Sequence, residues 1–240
     1  MSVLVLVRHG ESEWGSRQLF TGWSDPPLSH EGESQARRAG DSLAGLVAID
    51  RVYTSLLRRA SETASIMLAT ARAETAPVEA DWRLNERHLG RLEGLSKAEV
   101  RAIWGNELRK SWRDDDSAQP PLVPPRDPRH PRHDARYRHV PARLLPGGER
   151  ASETAWRVLE VWHERLAADI LAHRSIVVVS HLGPLRVLAR HLWRQDLETA
   201  PSPEWPNGSL RVYATSRDSA SEQVTTAIGT AASTRYPGGV

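Results

Sequence analysis

Val3-Leu4-Val5-Leu6-Val7-Arg8-His9-Gly10-Glu11-Ser12 is the stretch on which the fold turns. Five consecutive apolar residues, three of them β-branched, end abruptly in a cation, an imidazole and a glycine. A continuous apolar run of that length reads as a strand buried on both faces, the pattern of a parallel sheet. The Arg8-His9-Gly10 that follows then sits in the loop at the carboxyl end of that strand. A second run, Ile176 to Val179, ends in the same way with Ser180-His181. In open α/β sheets ligands bind beyond the carboxyl ends of the strands. Two histidines some 170 positions apart are thus expected in one pocket.

Outward from these two runs the chain alternates strands and helices. Ser29 followed by Glu31 and Glu33 reads as an N-cap with acidic residues in the first turn, and helical spacing continues to Leu46. Asp50–Ser55 reads as a short strand and Arg58–Ala71 as a helix. A short strand is expected around Val78, a helix after Pro184, and an edge strand over Leu210–Tyr213. The predicted fold class is therefore α/β: a mainly parallel central sheet with helices on both faces, in a single domain spanning residues 1–215. Two stretches break the rhythm. Residues 113–148, rich in Pro, Arg, His and Asp, read as a lid insertion. Residues 216–240, rich in Ser, Thr, Ala and Gly, read as a flexible C-terminal tail.

Composition narrows the function classes. With 39% hydrophobic and 26% charged residues, the 240-residue chain has the make-up of a soluble globular protein. It has no cysteine, which excludes disulfides and thiolate metal sites. Residues 3–7 are too short to span a membrane and lack the flanks of a signal peptide, so a cytoplasmic protein with no membrane partner is expected. The net charge is only +2, against the concentrated basic face of a nucleic-acid binder, so no nucleic-acid partner is expected. Nearly all the bases are arginine, Lys97 and Lys110 being the only lysines. Arginine forks suit phosphate recognition.

The chemistry-bearing blocks extend the opening one. They are Arg8-His9-Gly10-Glu11-Ser12; Phe20-Thr21-Gly22-Trp23 with Asp25 and Leu28-Ser29; Tyr53-Thr54-Ser55-Leu56-Leu57-Arg58-Arg59-Ala60; Leu84-Asn85-Glu86-Arg87-His88 with Gly90 and Gly94; Lys97-Ala98-Glu99; and His133-Asp134-Ala135-Arg136-Tyr137 in the lid. In this order they resemble the histidine phosphatase superfamily, and within it the 2,3-bisphosphoglycerate-dependent phosphoglycerate mutase branch, over about residues 2–213. The resemblance implies that His9 is the nucleophile that becomes phosphohistidine and that Glu86 is the general acid and base. It implies that Arg8, Arg59 and His181 line the phosphate pocket. Ser12, Thr21, Gly22, Arg87, Lys97, Arg113, Leu182 and Gly183 fall at positions that contact substrate. It also implies 2,3-bisphosphoglycerate as the primer of His9, a small phosphorylated substrate as partner, no metal, and a homodimer or homotetramer.

Physical logic runs parallel to these assignments. A phosphoryl group in flight spreads negative charge over three oxygens, so preorganised cations are the main catalytic device. One carboxylic acid must protonate the leaving alkoxide. Glu93 and, less directly, Glu11 are the other carboxylates that could do so. His30, His163, His173 and His191 carry no motif and are expected to be ordinary surface or packing residues. The tryptophans are expected to pack the core and lid.

The chain departs from the mutase pattern where substrate is gripped. Gly15 stands for asparagine, Leu89 for tyrosine, Asp114 for the second of two lid arginines, and Leu182-Gly183-Pro184 for Gly-Asn-Ser. None of these touches His9, Arg8, Arg59, Glu86 or His181. The expected reaction is interconversion of 3-phosphoglycerate and 2-phosphoglycerate. The alternatives are hydrolysis of another phosphomonoester, in which water takes the phosphoryl group from His9, and a non-catalytic binding protein.

Overall fold

A computed structural model describes residues 2–46, 48–114, 118–193, 205–215 and 227–231, with side chains at all but residues 2, 106–114, 193, 215 and 227–231 of these. Its centre is a sheet of β1 (Ser2–Arg8), β2 (Arg51–Thr54), β3 (Val78–Ala80), β4 (Ile176–Ser180), β5 (Leu210–Thr215) and β6 (Ala227–Ala231), in the order β3-β2-β4-β1-β5-β6. β1, β2, β3 and β4 pair in parallel, whereas β5 is antiparallel to both β1 and β6. The mainly parallel α/β fold expected from the apolar runs is what is found. β6 lies within the span expected to be a flexible tail, so part of that span joins the sheet. β5 would otherwise present an open row of unpaired N–H and C=O groups, and a Thr- and Ala-rich segment can satisfy it.

Both faces are covered. Val5, Val7, Val52, Val177, Val179 and Val212 form one core with α2 (His30–Leu43) and α3 (Arg58–Ala71). Leu4, Leu6, Tyr53, Ile176, Val178 and Tyr213 form the other, under the helical run made by α5 (Ala151–Val161), the wider π-type turn Trp162–Leu166 and α6 (Ala167–Leu171), together with α7 (Leu182–Trp193). The alternation along β1 is the two-residue period of a strand buried on both sides.

The helices start and seat as local chemistry requires. Ser29 caps α2 by accepting from Gly32 N at 3.0 Å. α2 ends at Leu43, three residues short of the expected Leu46. α3 buries Ala60, Thr63, Ala64, Met67 and Leu68, a single helical stripe. α1 (Glu13–Ser16) is one short turn capped by Ser12. α4 (Lys97–Asp114) is broken at Gly105, whose φ of 76° lies outside helical space.

Residues 118–148, the described part of the expected lid, run extended and then through three short 3₁₀ turns at Pro131–His133, Ala135–Tyr137 and Ala142–Leu144. Tyr137, Val140 and Leu145 pack with Trp23. Arg136 bridges Asp25 at 2.6 Å, tying this segment to the loop before α2.

Candidate active site

Register brings the two histidines together. Arg8 pairs with Ser180 across β1 and β4, and His9 N donates to Ser180 O at 3.0 Å. His9 and His181 are the next residues on each strand. Their ring centroids lie 4.8 Å apart, the spacing between neighbouring strands. Both are buried.

Each ring has one nitrogen against a polar neighbour, and for His9 that neighbour sets the tautomer. His9 Nδ1 lies 2.6 Å from the Gly10 carbonyl, which can only accept, so Nδ1 carries the proton and Nε2 keeps its lone pair. Arg59 Nε donates to that Nε2 at 3.4 Å. Ser55 Oγ accepts from Leu57 N at 3.2 Å and lies 2.8 Å from His181 Nε2. The Ser55 hydroxyl has a proton and a second lone pair, so it can donate to Nε2 or accept from it; when it donates, the His181 N–H lies at Nδ1. Among the described residues that buried Nδ1 has no hydrogen-bond partner. Burial, with the charges of Arg59 and Arg8, holds the His9 pKa well below its usual value and outweighs the Gly10 bond. Burial, Arg59 and His9 do the same for His181. Both rings are neutral at neutral pH.

The two arginines are fixed by carbonyls. Arg59, on the first turn of α3, donates Nη2 to Gly22 O at 2.8 Å and Nη1 to Ser24 O at 3.0 Å. Burial pushes its pKa down to about 10, against the pull of Glu86 and Asp25, so it stays a cation. Arg8 donates Nη1 to Trp205 O at 2.5 Å, while its Nε is buried with no partner. Asn207 Nδ2 holds the His9 carbonyl at 3.0 Å. A neutral imidazole lone pair thus lies among two arginines and a second imidazole, where the buried Arg8 Nε and His181 Nδ1 have no partner among the described residues.

The carboxylates divide cleanly. Glu93 accepts from Trp23 N, Ser24 N and Leu89 N, each at 2.9 Å, and from Ser24 Oγ at 3.0 Å. Burial raises its pKa, but the His88 ring at 3.1 Å and these N–H groups more than reverse that, and the net shift is downward. Glu93 is therefore a fixed anion that shapes the Gly22–Ser24 loop, not a proton donor. Gly22 has no room for a side chain, since a Cβ would stand 2.1 Å from Glu93 Oε1. Glu11 is likewise occupied, accepting from Ser29 Oγ at 2.8 Å. Among the described residues the Glu86 carboxylate accepts only from the backbone N of Arg87, at 2.8 Å on Oε1. Its carboxylate lies against Gly183 at the start of α7, where a Cβ would come within 2.6 Å of Oε1.

What positions Glu86 is a buried ion pair. Arg157 on α5 meets Glu149 at 2.6 Å and 2.8 Å, and its remaining donors hold the carbonyls of Arg83, Asn85 and Glu86. Glu149 also accepts from His88 N at 2.8 Å. Asn85 bridges Leu56 N and the Tyr137 hydroxyl, linking this loop to α3 and the lid segment. Sequence reasoning assigned no role to Ser55, Asn85, Glu149, Arg157 or Asn207. Ser55 and Asn85 stand inside the quoted blocks, but no local pattern marks Glu149, Arg157 or Asn207.

The substrate-contact residues expected from the resemblance are less uniformly placed. Gly22 offers its carbonyl to Arg59. Ser12 is buried, and its hydroxyl caps α1 by accepting from Gly15 N at 3.1 Å. Thr21 Oγ1 donates to Leu19 O at 3.4 Å. Arg87 is half-buried, Lys97 is exposed at the start of α4, and Leu182 packs on the α7 side of the core. The side chain of Arg113, like that of Asp114, lies outside the described residues.

Comparison with known proteins decides the family. A profile of the histidine phosphatase superfamily (branch 1) matches residues 4–130 and 123–226. The chain belongs to that superfamily. It is 42% identical over 216 residues, 89% of this chain and 87% of the relative, to a 2,3-bisphosphoglycerate-dependent phosphoglycerate mutase from Thermobifida fusca. It is 40% identical to another from Actinobacillus succinogenes, covering 88% of this chain and 93% of that one. Within the superfamily it therefore groups with the phosphoglycerate mutase branch. Similar solved structures include a mycobacterial glucosyl-3-phosphoglycerate phosphatase, with TM-score 0.68, 26% identity, and coverage of 90% of this chain and 93% of the other. Another is YhfR of Bacillus stearothermophilus, with TM-score 0.65, 27% identity, and 90% and 92% coverage. This histidine phosphatase is accordingly an enzyme by family. No group of three or more His, Asp or Glu able to hold a metal occurs among the described residues, nor any helix long and apolar enough to cross a membrane.

Proposed function

We propose that this enzyme interconverts 3-phosphoglycerate and 2-phosphoglycerate through phosphorylated His9. The observation that carries the reading is the meeting of a neutral His9 Nε2 lone pair with unspent buried donors on Arg8 and His181, beside a carboxylate, Glu86, with one hydrogen bond. In the first half-reaction His9 Nε2 forms a bond to phosphorus as the bond to the leaving oxygen breaks. Glu86 delivers a proton to that oxygen. Arg8, Arg59 and His181 Nδ1–H take the charge on the three peripheral oxygens. In the second half, Glu86 removes the proton from the acceptor hydroxyl, which takes the phosphoryl group back from His9.

The same unpartnered donors fit 2,3-bisphosphoglycerate as primer. When bound, that compound supplies the phosphoryl group carried on His9. The mutase names of relatives about 40% identical over most of the chain favour this acceptor over water. One observation favours the second reading, a phosphatase: the phosphatase names among the structural neighbours accompany losses at positions that grip substrate, namely Gly15, Leu89 and Gly183. Phosphorus NMR of the purified protein with 3-phosphoglycerate and a trace of 2,3-bisphosphoglycerate separates them. A growing 2-phosphoglycerate signal with little free phosphate is expected. Free phosphate without isomerisation would replace the mutase reading by the phosphatase one.

A further inference from the structure

α7 carries two more cations on the side that meets Glu86. Gly183 touches the Glu86 carboxylate, and residue 186 follows it by three positions, on the same helical face. Side chains on a helix lean toward its N-terminus, so Arg186 leans over the turn that holds Gly183. Its Nε is shut off from solvent and has no hydrogen-bond partner. Arg190 stands one turn further on, and like charges at that spacing repel. Among the described residues neither makes an ion pair with a carboxylate. Burial and the charge of Arg190 lower the pKa of Arg186, while Glu86 raises it. Arg8 in turn is affected by Arg186 as well as by Glu86, so the three groups share one field.

We propose that Arg186, supported by Arg190, is a specificity-determining cation that binds the second anionic group of the substrate. Gly183 opens the approach. The asparagine of the mutase pattern at that position has no counterpart here, and Asp114 stands where a second lid arginine is expected. A cation on α7 beside Glu86 offers a grip in their place. The ligand is then a phosphomonoester with a carboxylate, or a second phosphate, a few bonds from the transferring phosphorus. This rests on the reading of the substrate as a phosphorylated hydroxy acid, but its test does not require turnover.

The test uses full-length protein carrying His9→Ala, which binds without reacting, and calorimetry with 3-phosphoglycerate and glycerol 3-phosphate. These two ligands differ in a carboxylate. Adding Arg186→Gln is expected to weaken 3-phosphoglycerate about 10–100-fold, the scale of one charge-assisted hydrogen bond. Glycerol 3-phosphate should weaken far less, so the preference for the carboxylate collapses. Arg186→Lys should keep part of it. Including 2,3-bisphosphoglycerate distinguishes the sources of the anion: a larger loss there assigns Arg186 to a second phosphate. An unchanged preference, or equal loss for all ligands, overturns the proposal, the latter by showing a merely structural role. The mutase reading fails separately, in the NMR experiment, whichever way Arg186 behaves.

Discussion

The two walls of the site are held by different means. On the histidine wall, Arg8, His9 and His181 take their places from strand register, and the 4.8 Å between the rings follows from adjacent parallel strands. On the Glu86 wall the chain forms no strand or α-helix, only two 3₁₀ turns at Trp82–Leu84 and Gly90–Leu92. The loop from Asp81 to Ser96 is held by side chains from far along the chain: Arg157 and Glu149 on its carbonyls and amides, Trp23 stacked on Tyr137 and bonded to the Glu86 carbonyl, and Glu93 clasping the Gly22–Ser24 turn. Within that loop, Glu93 and Glu86 show what separates a carboxylate with its bonds spent from one with them unspent. Four donors fix the first; the second meets one backbone N–H among the described residues, which suits the proton exchange proposed for it. Unspent hydrogen-bonding capacity in a buried site is costly to maintain, and it marks where substrate is expected.

The comparison breaks first at the nucleophile. His9→Ala should abolish turnover and leave no acid-labile phosphate on the protein after exposure to a phosphoryl donor; retained labelling would assign the covalent step to another residue. Next is Glu86→Gln, which should slow turnover by about 10²–10⁴-fold while the phosphorylated protein still forms with an activated donor whose leaving group needs no proton. Equal loss with both donors would contradict a proton-transfer role. Glu149→Gln probes the wall itself. It strands Arg157 as a buried cation with half its partner, and breaking such a pair costs about 3–5 kcal/mol. The urea midpoint should fall accordingly, and turnover with it, because the Glu86 carbonyl loses its anchor. Replacing both partners by methionine should recover much of the stability but not the rate, since packing can be restored without the hydrogen bonds that aim Glu86.

The same division explains what could be read from the sequence. The histidine wall was legible because its information is local. An apolar run ending in Arg8-His9 and another ending in Ser180-His181 name both strands, the direction of both and the pocket between them. The Glu86 wall was legible only in outline. Residues 84–88 form a quotable block, but nothing near Glu149 or Arg157 signals that they support it, because a buried ion pair eight residues apart looks like surface charge on paper. Glu93 stood as a rival to Glu86 for the same reason: carboxylates differ by the donors around them, and those come from Trp23, Ser24 and Leu89. Gly183 was placed at the site as a substrate contact, but its neighbour there, the Glu86 carboxylate that a Cβ would approach to 2.6 Å, carries no mark in the sequence around it. β6 was missed because a Ser/Thr/Ala/Gly-rich segment has no apolar period, and what draws it into the sheet is the open edge of β5.

The smallest effect tests whether the histidine wall stays neutral. An ordinary histidine titrates near pH 6.5, while burial and the charge of Arg59 hold both His9 and His181 well below that in the folded protein. Between those folded values and 6.5 the unfolded chain binds more protons than the native one, so stability rises with pH through that window and is fully present above it. Conversely, acidifying from pH 6.5 to 5.5 should destabilise the fold by up to about 1 kcal/mol for each such histidine. His181→Asn removes one of the two, so its urea midpoint should depend less steeply on pH over that interval than that of the unaltered protein. Carboxylates contribute to both slopes alike and drop out of the difference. Equal slopes would mean that the His181 ring is as free to take a proton folded as unfolded. It would then approach substrate as a cation rather than as a neutral ring.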